Sequence, residues 1–540
     1  GLLLDEPDVD AIIALRQLTL KFGKMLIPCS DARNQAAKSS YLECEQDVRR
    51  SDAELSESDL EEFRNMSELL YGQLFNRLDR EVMFDRVVPK HGPGSTADHL
   101  LGNQKWNQRT WTRRLEQVFP AVYHVIPSWR FTPVLNDVNV LEPGEEQPVK
   151  VVLVPKTLKT PRVIAMEPTC MQFMQQGVSR SLIAYLEGDR LLSRVIGFDD
   201  QTPNQEFARQ GSVDNRTATL DLSDASDRVS NQLVRTMVAR WPNVARAVDA
   251  TRSRRAVIDG KTVRLAKYAS MGSALCFPVE AMVFTTLIFV GIQRSLNRQL
   301  NRKDLRRLSG SVRVYGDDLI VPADHVLSVV EALELFGAKV GLSKSFWTGK
   351  FRESCGKEYY DGADVSIVRV RRMLPTRQQD AAEVGSLVTL RNQLYTSGYW
   401  RTAAYLDHKI EGLIQFFPTV SPKSSVLGRV SFVGETFGYR FSRLHPSRQS
   451  PLVRGFVVSA KPPKDHLEGT GALFKCLLKL GTPAGDSLPW LEPGASIGGP
   501  FGVYHDATLW ASQPQGDSDH LERSGRPQRV DIKLRWSSPV

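Results

Sequence analysis

The stretch Val314-Tyr-Gly-Asp-Asp-Leu-Ile-Val321 constrains this chain more than any other. Two β-rich arms flank a glycine, which permits a tight turn, and two consecutive carboxylates stand at the tip. Adjacent carboxylates repel each other, so the pair is costly unless a cation neutralises it. Gly-Asp is also common turn chemistry, and on these four residues alone a solvated turn is the ordinary explanation.

A second element changes the balance. Leu220-Asp221-Leu222-Ser-Asp224-Ala-Ser226-Asp227 puts a carboxylate at the end of an apolar strand, just before a polar turn into a helix. Asp224 or Ser226 can cap that helix, and capping is the favoured role for Asp224. Asp221 is different, because an unpaired carboxylate between two leucines is penalised. A strand carrying Asp221 beside the Asp317-Asp318 hairpin brings three carboxylates to one spot. Such a cluster suits two Mg2+ ions, which clamp the attacking and leaving oxygens of an in-line displacement, with Mn2+ as the alternative.

Between these elements lies Ala269-Ser270-Met271-Gly272-Ser273-Ala274, ahead of an apolar helix. Small residues let a backbone approach a ligand, and serine hydroxyls can bond a ribose or a template; an ordinary helix start capped by Ser273 fits equally well. Upstream, Lys156-Thr-Leu-Lys159-Thr-Pro-Arg162 presents three cations around a Pro-limited turn. They suit a triphosphate, although a solvated basic loop is the commoner origin of such a run. His91-Gly-Pro-Gly-Ser-Thr96 is a loop without the G-K-[ST] ending of a phosphate-binding loop.

The remaining sequence supplies context. The chain has 540 residues, 70 Lys+Arg and 61 Asp+Glu, a net +9 that fits a polyanionic partner without establishing one. Its 41% hydrophobic content supports a sizeable core, and its length suggests roughly three or four domains. Six dispersed cysteines without a C-x-x-C pair argue against a zinc ribbon or disulfide framework and for a reducing compartment. Ala281 to Ile292 is too short for a membrane span of roughly 20 residues and reads as a buried helix. A soluble, intracellular protein is expected, and Gly1 hints that the initiating methionine, or more, is missing. The first 150 residues look mainly helical, with a capping box at Ser58-Asp-Leu-Glu61 followed by Leu60, Phe63, Leu70, Leu74 and Leu78 at helical spacing. Strands are expected at Pro148 to Pro155 and Thr217 to Leu222, and helices at Gln232 to Arg240 and Cys276 to Arg294. A mainly helical region follows from about Gln378 to Phe417. Gly516 to Arg529 has the composition of a mobile segment, and Val530 to Trp536 alternates as a half-buried strand should.

The order basic loop, strand Asp, Ser-Gly-helix, Tyr-Gly-Asp-Asp is similar to motifs F, A, B and C of right-hand nucleotide polymerases. More narrowly, the sequence resembles the replicase catalytic (beta) subunit of levivirus-type positive-strand RNA bacteriophages, an RNA-dependent RNA polymerase. The resemblance rests on Val154 to Pro168, Asp221 to Asp227, Ser270 to Gly272, Tyr315 to Asp318 and Phe351-Arg-Glu-Ser-Cys-Gly-Lys357, and His91 to Gly94 also looks like a loop of that family. It covers about Lys90 to Asp361.

The resemblance implies an α+β fold of fingers, palm and thumb, with an antiparallel palm sheet flanked by helices. It divides the chain into a helical fingers-side region (1–150), fingers with the basic loop (151–215) and a palm (216–375, polymerase core about 207–350). A helical thumb and connecting region (376–500) and a C-terminal segment ending in a strand (501–540) complete it. It implies Asp221, Asp317 and Asp318 as metal ligands, and Lys156, Lys159 and Arg162 on the nucleotide's phosphates. Ser270 and Gly272 would also lie at the nucleotide. Lys344 falls where such polymerases carry a lysine proposed to protonate pyrophosphate, a surface lysine being the plain alternative. Many RNA polymerases place an Asp five residues after the first metal ligand; that position is Ser226 here, with Asp227 next, so the reader of the ribose 2′-OH stays open between them. The implied partners are RNA template and product, nucleoside triphosphates, host translation elongation factors Tu and Ts and a ribosomal small-subunit protein. The implied place is the cytoplasm of an infected bacterial host, with no membrane. The rivals are a reverse transcriptase of the same palm type and a non-catalytic RNA-binding protein on a polymerase scaffold. The stretch Leu222 to Asp227 lacks the aromatic residue with which reverse transcriptases exclude ribonucleotides, and a decayed polymerase would be expected to have lost a carboxylate.

Overall fold

The computed structural model describes residues 6–461 apart from 93 and 158, then 465, 467, 469–480 and 529–540. Helices and sheets are mixed in an α+β arrangement. The N-terminal region is built on the helices Val9–Leu20, Asp31–Glu54 and Glu57–Met83. The capping box lies two residues before the expected one: Ser56 accepts from Asp59 N, and Asp59 reaches back to Ser56 N. The same serine-x-x-acid spacing occurs at Ser56, and the helix takes the earlier site, placing Ser58 inside its first turn. Phe63, Leu70, Leu74 and Leu78 are buried on one face as their spacing requires.

At the centre runs the helix Cys276–Ser295. Its 20 residues are long and apolar enough to cross a membrane, but 89% of the apolar window is buried in this protein's own core. Tyr71 OH donates to the Met282 carbonyl, tying it to Glu57–Met83. On another side it meets the helix Val326–Leu335, where Gly291 lies so close that a Cβ would come within 2.6 Å of Val329 Cα. One hydrophobic core joins these helices to the helix Thr169–Gly188 and to the buried strands around residues 218–222 and 312–321.

Two sheets flank the site. The first has the order Thr217–Asp221, Asp318–Pro322, Arg313–Tyr315, all antiparallel. The second orders Arg162–Met166, Val149–Val154, Arg255–Ile258 and Lys261–Arg264, and the basic loop links its first two strands. Further on, the helices Ala381–Thr396 and Trp400–Leu413 pack in a second core with Phe417 and Phe456. The strand expected near the C-terminus is present as Arg529–Ser537, antiparallel to Pro451–Lys461. The segment expected to be mobile, Gly516 to Arg529, lies outside the described residues except for Arg529, which opens that strand. All six cysteines are free thiols.

Candidate active site

The hairpin forms because Gly316 takes a left-handed φ of +59° and the turn then returns Asp318 opposite Tyr315. A Cβ on Gly316 would meet the Phe277 ring at 2.6 Å, so the turn also needs glycine for space. On its other side Asp318 pairs directly with Asp221, one step beyond the buried pair Leu220 and Leu319. Residues directly opposite in an antiparallel pair project to the same face, so these two carboxylates meet across the sheet. Asp317, exposed at the tip, acts electrostatically on both.

This concentration of negative charge is energetically unfavourable. Burial, then repulsion from Asp317, pushes the Asp318 carboxyl up to about 6, while the Cys355 N–H at 3.2 Å opposes the rise. Asp221 is raised as well, by burial first, against the pull of Lys344. Lys344 Nζ stands 3.1 Å from Asp221 Oδ2. It is held there because residues 340–346 run along the free edge of the Asp221 strand. Gly341 N donates to the Asp221 carbonyl, Asp221 N donates to Ser345 Oγ, and Phe346 pairs with Thr219. Lys344 keeps 61% of its side chain exposed while it pairs with the acidic centre.

Among the described residues, no three His, Cys, Asp or Glu side chains are drawn together tightly enough to enclose an ion. The donor chemistry nonetheless fits hard divalent cations, since all three groups are carboxylates and Asp318 has no cation paired with it, only the backbone N–H and thiol of Cys355.

The basic loop lies over this centre at one end. Lys156 is near enough to act on the charge of Asp221. Lys159 and Arg162 are exposed and form no ion pair among the described residues. The Ser270 loop is fastened beneath the loop's second strand, with Ala165 N donating to the Met271 carbonyl. Gly272, at φ +130°, lies so close to that strand that a Cβ would fall 2.0 Å from the Ala165 carbonyl oxygen. Ser270 is buried, with its Oγ 2.8 Å from Tyr41 OH. Ser273 accepts from Leu275 N and faces Gln175, while the helix itself begins at Cys276.

Asp224 does not cap. It precedes the short helix Ala225–Arg228 in a left-handed conformation, φ +51°, and its side chain accepts nothing from that helix. Side-chain capping needs an extended backbone at this position, which the tight turn out of the strand denies it. Ser226 turns to the Cys276 thiol, whereas Asp227 Oδ1 lies 2.9 Å from Lys267 Nζ. His91 packs half-buried against the rings of Trp106 and Phe173, and Lys105 donates to the carbonyls of Gly92 and Gly94. With its carbonyls turned to a cation, that loop is a structural brace.

Sequence reasoning missed several groups. Glu353, beside Cys355 in the hairpin Phe351–Ser354/Lys357–Tyr360, adds negative charge to Asp221 and Asp318. Glu280 is buried behind the turn, its Oε1 3.3 Å from the Cβ position of Gly316, and burial with Asp317 and Asp227 holds its carboxyl well above the usual range. Glu45 and Lys267 complete the support of Asp227. Only the family-like run Phe351 to Lys357 carried a signal for one of them.

The observed fold is the α+β class expected of a right-hand polymerase, with an antiparallel sheet carrying the acidic pair. Residues 138–401 match the family model for RNA replicase, beta-chain. The chain is 36% identical over 261 residues to the RNA-directed RNA polymerase subunit beta of Qbeta virus (strain MX1), covering 47% of this chain and 40% of that one. It is also 36% identical over 219 residues to the RNA-directed RNA polymerase beta chain of Escherichia phage MS2, covering 41% and 37%. Thus it spans about 40% or less of the length of these curated relatives. Among solved structures, the RNA-dependent RNA polymerase of a human picorbirnavirus aligns with TM-score 0.38 and 12% identity over 49% of this chain and 55% of the other. The elongation-state polymerase of BmCPV aligns with TM-score 0.36 and 11% identity over 62% and 31%. The resemblance to levivirus-type replicase beta chains, read from the motifs, holds across this central region.

Proposed function

We propose that this chain is the catalytic part of an RNA-directed RNA polymerase that copies a single-stranded RNA genome by two-metal nucleotidyl transfer. The observation that carries the reading is the direct pairing of Asp221 with Asp318 beside Asp317, with Lys344 on Asp221. Asp221, Asp317 and Asp318 would hold Mg2+, or Mn2+ in its place. When bound, the ions supply Lewis-acid stabilisation of the attacking 3′-oxygen and the leaving pyrophosphate. Lys156, Lys159 and Arg162 bind and orient the triphosphate, and Lys344 gives its proton to the pyrophosphate oxygen. Ser270 and Gly272 shape the floor beneath the nucleotide. Asp227 reads the ribose 2′-OH in preference to Ser226: its side chain keeps 17% exposure with one oxygen engaged by Lys267, while Ser226 faces Cys276.

In this reading, 1–150 and 151–215 are fingers-side, 216–375 the palm with its core at about 207–350, and 376–500 the thumb and its connection; 501–540 end in the strand. The work takes place on RNA template and product in the cytoplasm of an infected bacterium, with elongation factors Tu and Ts and a ribosomal small-subunit protein as partners. Labelled NTP and dNTP incorporation on an RNA template tests the proposal, with Asp317→Asn as control. NTP incorporation lost in the variant is the expected result. Equal activity in the variant overturns the catalytic assignment, and a preference for dNTP points to a reverse transcriptase.

A further inference from the structure

Away from the carboxylates, three elements surround a cavity of about 600 Å3 with arginines. Arg77 comes from the helix Glu57–Met83, Arg190 and Arg194 from the turn and short helix Leu192–Val195 that follow Thr169–Gly188, and Arg302 and Arg306 from the helix Arg302–Leu308. All five are exposed at the rim, and none forms an ion pair or side-chain hydrogen bond among the described residues.

The sorting of charge on the last helix is informative. Arg307 and the preceding Arg298 are paired with Asp304, at 3.6 and 2.8 Å. Arg302 and Arg306, one turn apart on the cavity side, are left without a counter-charge. Among the described residues the one acid in the wall, Asp189, is already engaged, since its Oδ1 accepts from Leu191 N and Leu192 N. Five like charges around one hollow repel each other unless an anion enters. Guanidinium groups match phosphate oxygens two at a time, and charges spread over three elements suit a row of phosphates better than a single one. Leu70, Leu74 and Leu191 give the cavity an apolar wall against which a base or ribose can rest.

We propose that this cavity is a second RNA-binding site, which takes the phosphates of a single-stranded RNA segment on its arginines and a nucleoside on its apolar wall. The choice of RNA as occupant rests on the polymerase reading; the affinity for phosphate does not.

The test is fluorescence anisotropy of the full chain with a short labelled oligouridylate over a series of salt concentrations. Arg302→Gln/Arg306→Gln is compared with Arg307→Gln, which alters charge on the same helix away from the cavity. The double variant is expected to bind about tenfold more weakly, with a salt slope shallower by about one to two. The control is expected to bind as the wild type. Photocrosslinking with a 4-thiouridine oligonucleotide is expected to label the peptide carrying Arg190 and Arg194. Equal binding by double variant and control, with no crosslink there, overturns the site. Labelled ATP or a polyglutamate peptide binding with the same dependence on Arg302 and Arg306, while RNA does not, overturns RNA as the occupant. Absence of NTP incorporation by the wild-type chain would remove the polymerase reading and leave the anisotropy result standing.

Discussion

Lys267 Nζ lies 2.9 Å from Asp227 Oδ1, 3.2 Å from Glu45 Oε1 and 3.5 Å above the ring of Tyr41, with its side chain fully buried. Burial alone would strip its proton, but Asp227, Tyr41 and Glu45 reverse that and hold it charged. One ammonium thereby joins the N-terminal helix Asp31–Glu54 to the short helix Ala225–Arg228 that follows the Asp221 strand. Replacing it with the apolar Lys267→Met leaves the buried Glu45 and the half-buried Asp227 without their shared cation. The expected cost is about 3–5 kcal/mol, read as a lower urea midpoint, and an unchanged midpoint would contradict the buried pairing.

Tyr41 is tied to Ser270 by the 2.8 Å contact of their hydroxyls. Tyr41→Phe deletes only the hydroxyl and keeps the ring under Lys267, so the expected loss of stability is about 1 kcal/mol. Freed Ser270 is then less well oriented as the proposed floor beneath the nucleotide, and KM is expected to rise several-fold for NTP and dNTP alike. A change in kcat for both substrates alike would mean that Tyr41 is merely structural.

These two relationships mark the limit of what the sequence discloses. Asp221, Asp317 and Asp318 were legible because strand alternation and a glycine turn are local properties, each visible within eight residues. Tyr41 and Ser270 are 229 positions apart, and nothing local in Tyr41, Glu45 or Lys267 announces that they converge. Glu280 reads simply as one polar residue in an apolar helix. Local rules also misplaced small features when two sites obeyed them, as with Ser56 and Ser58, or when chain direction overrode them, as with the left-handed backbone at Asp224.

Stability should depend on pH through Glu81. Burial raises its carboxyl from 4.5 to about 7, although Ser181 and Tyr185 donate to it. The folded state thus binds the proton more tightly than the unfolded one. This contribution is complete below pH 4.5 and is lost as pH rises through about 7. Glu167, also raised to about 7 by burial, acts in the same sense. Glu81→Gln cannot ionise, so between pH 5 and 8 it should lose about 2–3 kcal/mol less than the wild type. Chemical unfolding at the two pH values measures this, and identical losses in both proteins would refute it.

Gly272 is the position where substitution should do most damage for least change in chemistry. A methyl group there would lie 2.0 Å from the Ala165 carbonyl oxygen, which belongs to a paired strand and cannot swing aside. At φ +130° the backbone also resists any L side chain. Relief requires the Ser270 loop to lift from Arg162–Met166, breaking the bond from Ala165 N to the Met271 carbonyl. Gly272→Ala is therefore expected to cost at least about 2 kcal/mol. Because the same strand begins with Arg162, the loop and the cation would shift relative to each other, and misplacement by about 1 Å can cost on the order of a hundredfold in rate. Measured below its own melting temperature, the variant should incorporate NTP at about one hundredth of the wild-type rate or less. Near-normal incorporation with a lowered melting temperature would mean that Gly272 supports the fold and leaves nucleotide positioning untouched.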